Sequence, residues 1–246
     1  MRRPLLISVA KQSGCSLSAS LHIGFVIFPG ITQLDMTGPF EVFARMTGTK
    51  VHLAWKTLDA VRSDTGLVLT PTVTFTDCPD LDVICIPGGP GVNALLNDEA
   101  VLAFLRAKAE SARYVTSVCT GALVLGAAGL LDGYKAATHW ASRDFLNSFG
   151  ATAVDARVCI DRNRVTGGGV TAGIDFGLTL AAELNGRPSA EFIQLFMEYN
   201  PSPPFDAGSP ESAVPELLAH YREIMKEPLD ARRRAVEQAA ARRLTL

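Results

Sequence analysis

Two side chains in this sequence have the type and setting for covalent chemistry, Cys119 and Asp35. Cys119 stands at the joint of two runs. Residues 114–118, Tyr-Val-Thr-Ser-Val, are β-branched and compose a buried strand. Residues 120–131 are small and apolar almost throughout, the pattern of a buried helix. No residue is left over for a loop, so the chain must turn sharply at Cys119, as at a nucleophile elbow. A thiol there sits over the N-terminus of the following helix, where unpaired N–H groups and the helix dipole favour the thiolate. Its chemistry would be nucleophilic attack on an electrophilic centre, from a backbone expected to be strained. The same setting also suits a buried structural cysteine, since free Cys is among the most buried residue types. Asp35 follows the apolar run 23–28 and is flanked by Leu34 and Met36. It either caps the helix that begins there or holds a carboxyl group over the sheet edge beside the nucleophile.

Further strands are expected at 51–55 and 81–86 and at 157–161 and 164–166, with a β excursion at 67–69 and 73–75. Helices are expected at 31–43, with Pro39 in a first turn or at a break, and at 98–112. Another runs from Thr138 as N-cap to Gly150 as stop. Helices over 173–184 and 188–199 follow, then the extended linker 201–204 and a charged helical tail over 211–246. Within that tail Arg232, Arg233 and Arg234 compose a solvated helix face or a dimer contact. Strands alternate with helices, which predicts an α/β fold with a mostly parallel sheet and helices on both faces. Ligands bind such sheets where strands end in loops. Asp35, Gly88 and Gly89 in the loop 87–91, Cys119 and the Gly-rich loop 167–173 all follow strand ends. The loop 87–91 has the spacing of neither a P-loop nor a dinucleotide fingerprint.

The composition narrows the classes. The chain has 246 residues, 48% hydrophobic and 20% charged, with a net charge of −2; this suits one globular domain with a large core and gives no basic face for nucleic acid. Five cysteines, an odd number without a C-x-x-C pair, are no disulfide framework. Cys78 and Cys85 have no His nearby, so zinc is not expected. Reduced thiols point to a cytoplasmic setting, and no stretch approaches a membrane span. Residues 1–20 carry an apolar run, 5–10, too short for a secretory signal. They are expected to be a disordered extension ahead of a single domain over 21–246.

Several strings then resemble one family: Leu34-Asp-Met-Thr-Gly-Pro39, Asp82-Val-Ile-Cys-Ile-Pro-Gly-Gly89, Thr116-Ser-Val-Cys-Thr-Gly121, Ala137-Thr-His-Trp140, and Thr166-Gly-Gly-Gly with Gly173-Ile-Asp175. They are similar to the ThiJ/PfpI superfamily over residues 22–240. The string from Tyr199 to Pro210 resembles in particular those members that hydrate isocyanides (isonitriles). The resemblance implies a flavodoxin-like sandwich, a homodimer, and no metal or organic cofactor. It makes Cys119 the nucleophile and Asp35, where many relatives carry Glu, its acidic partner. Proteases and glyoxalase-like members have His after the Cys; Thr120 stands here instead, which argues against a Cys-His hydrolase. The expected reaction adds water to a small apolar isocyanide through a covalent thioimidate, with Thr120 positioning Cys119 or water. Backbone groups at Gly88, Gly89 and Thr120 are candidates to stabilise developing charge, and Val170 and Thr171 to line the pocket. His139 is expected to cap its helix. The alternatives are a ligand-responsive regulator or a cysteine redox sensor. Only about thirty residues follow Pro215, too few for the tandem helix-turn-helix module of the regulators.

Overall fold

Residues 20–244 are described by the computed structural model. The extension expected over residues 1–20 lies, apart from Ser20, outside the described residues. In chain order the first half comprises β1 (Leu21–Val26), α1 (Gln33–Phe43), β2 (Thr49–Trp55), β3 (Val61–Arg62), β4 (Val68–Leu69), β5 (Val73–Thr74), β6 (Val83–Ile86), α2 (Val92–Leu95) and α3 (Glu99–Ser111). The second half comprises β7 (Tyr114–Val118), α4 (Gly121–Ala127), β8 (Lys135–Ala136), a 3₁₀ helix (Trp140–Phe149), β9 (Thr152–Ala153), β10 (Val158–Asp161) and β11 (Arg164–Gly167). It ends with α5 (Ala172–Asn185), α6 (Arg187–Phe196), α7 (Pro215–Ile224) and α8 (Lys226–Arg243).

The main sheet runs β10-β11-β7-β6-β1-β2-β5. Every neighbouring pair is parallel except β10–β11. All four residues of β6, and all but the first of β7, are buried. Strands covered on both faces need apolar side chains on both, which is why these segments lack alternation. Helices pack in two groups, α1 with α5 and α6, and α2, α3, α4, the 3₁₀ helix and α8 together. The mostly parallel α/β sheet expected from the sequence is therefore present. Of the β excursion only β5 joins the main sheet; β4 pairs with β3 in a separate hairpin.

Several helices differ from expectation. Pro39 sits well inside α1, neither in its first turn nor at a break. α4 ends at Ala127, not at residue 131, because Gly129 takes φ +81°. Gly129 N–H then donates to Gly126 C=O and Leu130 N–H to Leu125 C=O, both at 2.9 Å, closing the helix in a Schellman motif. The segment after Thr138 is a 3₁₀ helix whose N-cap is His139, not Thr138. Thr138 is unavailable as a cap because its hydroxyl donates to Cys119 C=O at 2.7 Å. Gly150 terminates that helix in the left-handed region, as expected.

The four strands that matter most, β11, β7, β6 and β1, are consecutive in the sheet. Close contact between β6 and α4 is built into Gly121. A Cβ there would lie 2.0 Å from Ile86 O and 2.7 Å from Pro87 O, both backbone atoms that cannot swing away. Gly121→Ala is expected to cost about 3 kcal/mol or more. At ~2–4 °C per kcal/mol for a chain of this size, the melting temperature should fall by about 6–12 °C. An unchanged thermal transition would show that the elbow and β6 can separate freely.

Candidate active site

The elbow imposes the first constraint. Cys119 has φ +56°, a left-handed conformation that costs a non-glycine residue energy and must be held by its neighbours. Hydrogen bonds to distant residues hold it. Its N–H donates to Gly167 C=O at 3.0 Å, and its C=O accepts from Thr138. The strain expected from the sequence is thus observed. The side chain is nearly enclosed, with the residue 5% exposed.

Asp35 lies in the first turn of α1 and is fully buried. It does not cap its helix. Its Oδ2 accepts from Gly88 N–H across the sheet edge at 2.9 Å, and the carboxyl group and the Cys119 thiol each act on the other's protonation. Its Oδ1 is buried without a hydrogen-bond partner among the described residues. The capping alternative is therefore corrected. Thr32 occupies the N-cap position, and its hydroxyl turns to Asp64 at 2.7 Å.

The loop after β6 locks this pair in place. Gly89 N–H donates to Thr120 Oγ1 at 3.0 Å. A Cβ on Gly88 would lie 2.6 Å from Thr120 N and 2.8 Å from Asp35 Oδ2, so only glycine fits between the acid and the elbow. The N–H groups of Gly88 and Gly89 are both engaged by protein acceptors. They are not open donors for developing charge, which corrects that part of the expectation; they position Asp35 and Thr120 instead.

Burial governs the protonation of the pair. Loss of water pushes the Asp35 carboxyl from 3.8 up to about 7, against the Gly88 hydrogen bond and then the Cys119 thiol, which favour its charged form. Burial first, and then the Asp35 charge, push the Cys119 thiol up as well. The Thr120 N–H at the helix start and the charge of Arg232 work in the opposite direction. The helix N-terminus favours the thiolate as expected, but burial and the Asp35 charge outweigh it. Two buried acids side by side resist carrying two negative charges. A thiolate at Cys119 belongs with a protonated Asp35.

His139 is a poor proton donor at this site. Its Nδ1 accepts from Ala141 N–H at 3.3 Å. Burial and then the charges of Arg232 and Arg143 push it down to about 4. Val170 and Thr171 line a cavity with Thr138, His139, Trp140 and Gly169, but its walls also carry Arg143, Asp155 and Arg157. Arg157 pairs with Asp175 at 2.5 Å. The lining is thus more polar than the expected apolar R group suggests. Apolar wall is found next to it, sharing Trp140, where Leu217, Leu218 and Tyr221 line a second cavity. Trp140 and Tyr221 face each other with ring centroids 4.8 Å apart. Neither cavity is lined by Cys119 or Asp35.

Arg232 departs from the solvated face expected of the arginine triplet. Arg233 and Arg234 are exposed, but Arg232 is buried and 8% exposed. Its Nε donates to Asn93 Oδ1 at 3.1 Å and its Nη1 to Ser142 Oγ at 2.9 Å. A triplet of arginines hides this, but spacing could have shown it. Arg232, Val236 and Ala239 form the buried stripe of α8 at helical spacing.

The DJ-1/PfpI family model matches residues 22–183, more than half of the sequence. The chain belongs to the DJ-1/PfpI family. Among DJ-1/PfpI relatives it is similar to the isonitrile hydratase of Pseudomonas putida, 55% identical over 223 residues, covering 91% of this chain and 98% of that protein. A crystal structure of a ThiJ/PfpI family protein from Pseudomonas syringae superposes with a TM-score of 0.86 at 45% identity, covering 89% of this chain and 91% of that one. The HTH-type transcriptional regulator GbdR of Pseudomonas aeruginosa is 30% identical over 240 residues, covering 90% of this chain and 65% of the regulator. The DJ-1/PfpI fold accounts for the mostly parallel sheet and its surrounding helices.

Proposed function

We propose that this protein hydrates isocyanides, R–N≡C, to N-substituted formamides, R–NH–CHO. The observation that carries this reading is a fully buried carboxyl group, pushed up to about 7, that is coupled to an elbow thiol and has one oxygen unpartnered among the described residues. Similarity to an isonitrile hydratase over nearly its whole length supports the choice of substrate. The isocyanide carbon is electrophilic and must gain both a nucleophile and a proton. Cys119 thiolate attacks that carbon, and Asp35 delivers the proton to it, leaving a thioimidate, R–N=CH–S–Cys. Asp35, now ionised, takes a proton from water as the water oxygen adds to the same carbon. It returns that proton to nitrogen and accepts one from the hydroxyl as the C–S bond breaks. Formamide leaves, and thiolate and protonated Asp35 are restored. Thr120 contributes by its N–H toward the sulfur and by its hydroxyl, which fixes Gly89. No step calls for a cofactor. The wall at Trp140, Leu217, Leu218 and Tyr221 supports an apolar R group, and Val170 and Thr171 are proposed to border the substrate.

The test is direct. Cyclohexyl isocyanide incubated with the purified protein in H₂¹⁸O should give N-cyclohexylformamide carrying one ¹⁸O by mass spectrometry. Recovery of unchanged isocyanide would overturn the reading and favour a ligand-responsive or redox-sensing role.

We also propose that the protein acts as a homodimer in the cytoplasm. The outward residues Phe192 and Leu195 of α6, 67% and 80% exposed, support a second copy as partner; light scattering in solution decides it. Cys78, Cys85, Cys119 and Cys159 are free thiols, which supports a reducing compartment. Among the described residues no helix is long and apolar enough to cross a membrane.

A further inference from the structure

Arg232 presents a problem of charge. A buried guanidinium is costly unless an anion or a full set of acceptors compensates it. Its two hydrogen-bond partners, Asn93 and Ser142, are neutral. Among the described residues no Asp or Glu forms an ion pair with it.

Its partners indicate where the charge is directed. Asn93 lies at the start of α2, directly after the loop 87–91, and its N–H donates to Pro90 C=O within that loop. Ser142 lies in the first turn of the 3₁₀ helix, and its N–H donates to His139 C=O. One residue before His139, Thr138 holds the Cys119 carbonyl. Arg232 therefore joins the segment that carries Gly88 and Gly89 to the segment that carries Thr138, from the opposite end of the sequence. The groups that sense its charge are Cys119, Tyr221 and His139. Tyr221 is a phenol pushed further up by burial, and His139 is neutral at pH 7. The remaining charge at the centre is the single negative one shared by Asp35 and Cys119, with Asp64 beyond Asp35 adding to it.

We propose that Arg232 is a positioning residue of the site: it clamps α2 to the 3₁₀ helix and is the buried counter-cation of the Cys119 thiolate. It does not touch the reacting atoms. It lowers the cost of negative charge at the elbow and keeps the two flanking segments in register. The proposal rests on Cys119 being the reactive thiol. It does not rest on isocyanide being the substrate, and its test therefore uses alkylation instead of turnover.

The rate of Cys119 alkylation by iodoacetamide is followed against pH, with the adduct located by peptide mass spectrometry. Arg232→Met should move the midpoint of the profile upward by about half to one pH unit and slow alkylation at pH 7 by about three- to tenfold. Arg232→Lys keeps the charge but cannot span both partners. It should keep the midpoint near that of the wild type while losing thermal stability. Arg234→Met, on the exposed face of the same helix, should leave the profile unchanged. Should Arg232→Met fail to fold, Arg232→Gln is the second neutral variant, since its amide still reaches Asn93 or Ser142. A folded neutral variant with the wild-type midpoint would overturn the proposal and leave Arg232 a structural clamp only. A midpoint displaced equally in Arg232→Lys would likewise overturn the counter-cation assignment.

Discussion

Cys119→Ala is expected to lower isocyanide turnover by about 10⁴-fold or more and to leave the fold in place. The reasoning is chemical. Water alone is a poor nucleophile toward an isocyanide carbon, and no other thiol among the described residues stands at an elbow. Cys85 is fully buried within β6 and pushed up to about 12, chiefly by burial. Removing the side chain also relieves nothing in the backbone. An alanine at this position would keep the same φ, the same bond from Thr138 and the same bond to Gly167. Cys119→Ser should be nearly as inactive, since a hydroxyl is not ionised near neutral pH. Formamide production by Cys119→Ala within a few hundredfold of wild type would sink the covalent mechanism.

Asp35→Asn should lower turnover by about 10²–10⁴-fold, the usual worth of a general acid–base group. An amide can neither protonate carbon nor take a proton from water. No thioimidate should then accumulate on Cys119 in rapid-quench mass spectrometry. The same substitution should stabilise the protein at high pH. The folded protein keeps the Asp35 proton up to about pH 7, whereas the unfolded chain releases it near 3.8. Between those values the folded state binds more protons, so stability falls as pH rises. Above pH 7 the full penalty for a buried carboxylate is present. The asparagine of this variant would carry no such penalty, and its amide oxygen can still accept from Gly88. The melting temperature of Asp35→Asn should exceed that of wild type at pH 8, and the gap should close as pH falls to 4. Thermal scans across that range test this without any substrate. Turnover within a few-fold of wild type would instead require another acid, and His139, held near 4, could not serve at neutral pH.

The parts of the site that could be read from the sequence are those encoded by neighbours. A β-branched run meeting a small-residue run without a loop forces a turn at Cys119, and the strain follows. The placing of Asp35, Gly88, Cys119 and Gly167 at strand ends follows from alternating strands and helices. The contacts that set their roles are not local. Whether Asp35 caps α1 or faces Cys119 depends on Gly88, fifty-three positions away along the chain. Whether Thr138 or His139 caps the 3₁₀ helix depends on the Cys119 carbonyl claiming the Thr138 hydroxyl. Gly88 and Gly89 looked like open donors because a sequence shows the flexibility of a loop and not its acceptors. Arg232 looked solvated because two neighbours of the same type are.

The order of strands in the sheet has a consequence for how activity appears during synthesis. The groups at the centre lie at or beyond the ends of four adjacent strands, β1, β6, β7 and β11, that are separated along the chain. Parallel neighbours of this kind pair late, because long loops must close before their contacts form. A nascent chain on the ribosome holds the strained Cys119 only after Gly167 has emerged and β11 has docked on β7. Any earlier fragment carries an ordinary thiol. Catalysis in this protein is therefore a readout of the completed sheet, and a nick or permutation that delays β11 should silence it even where most of the helices have formed.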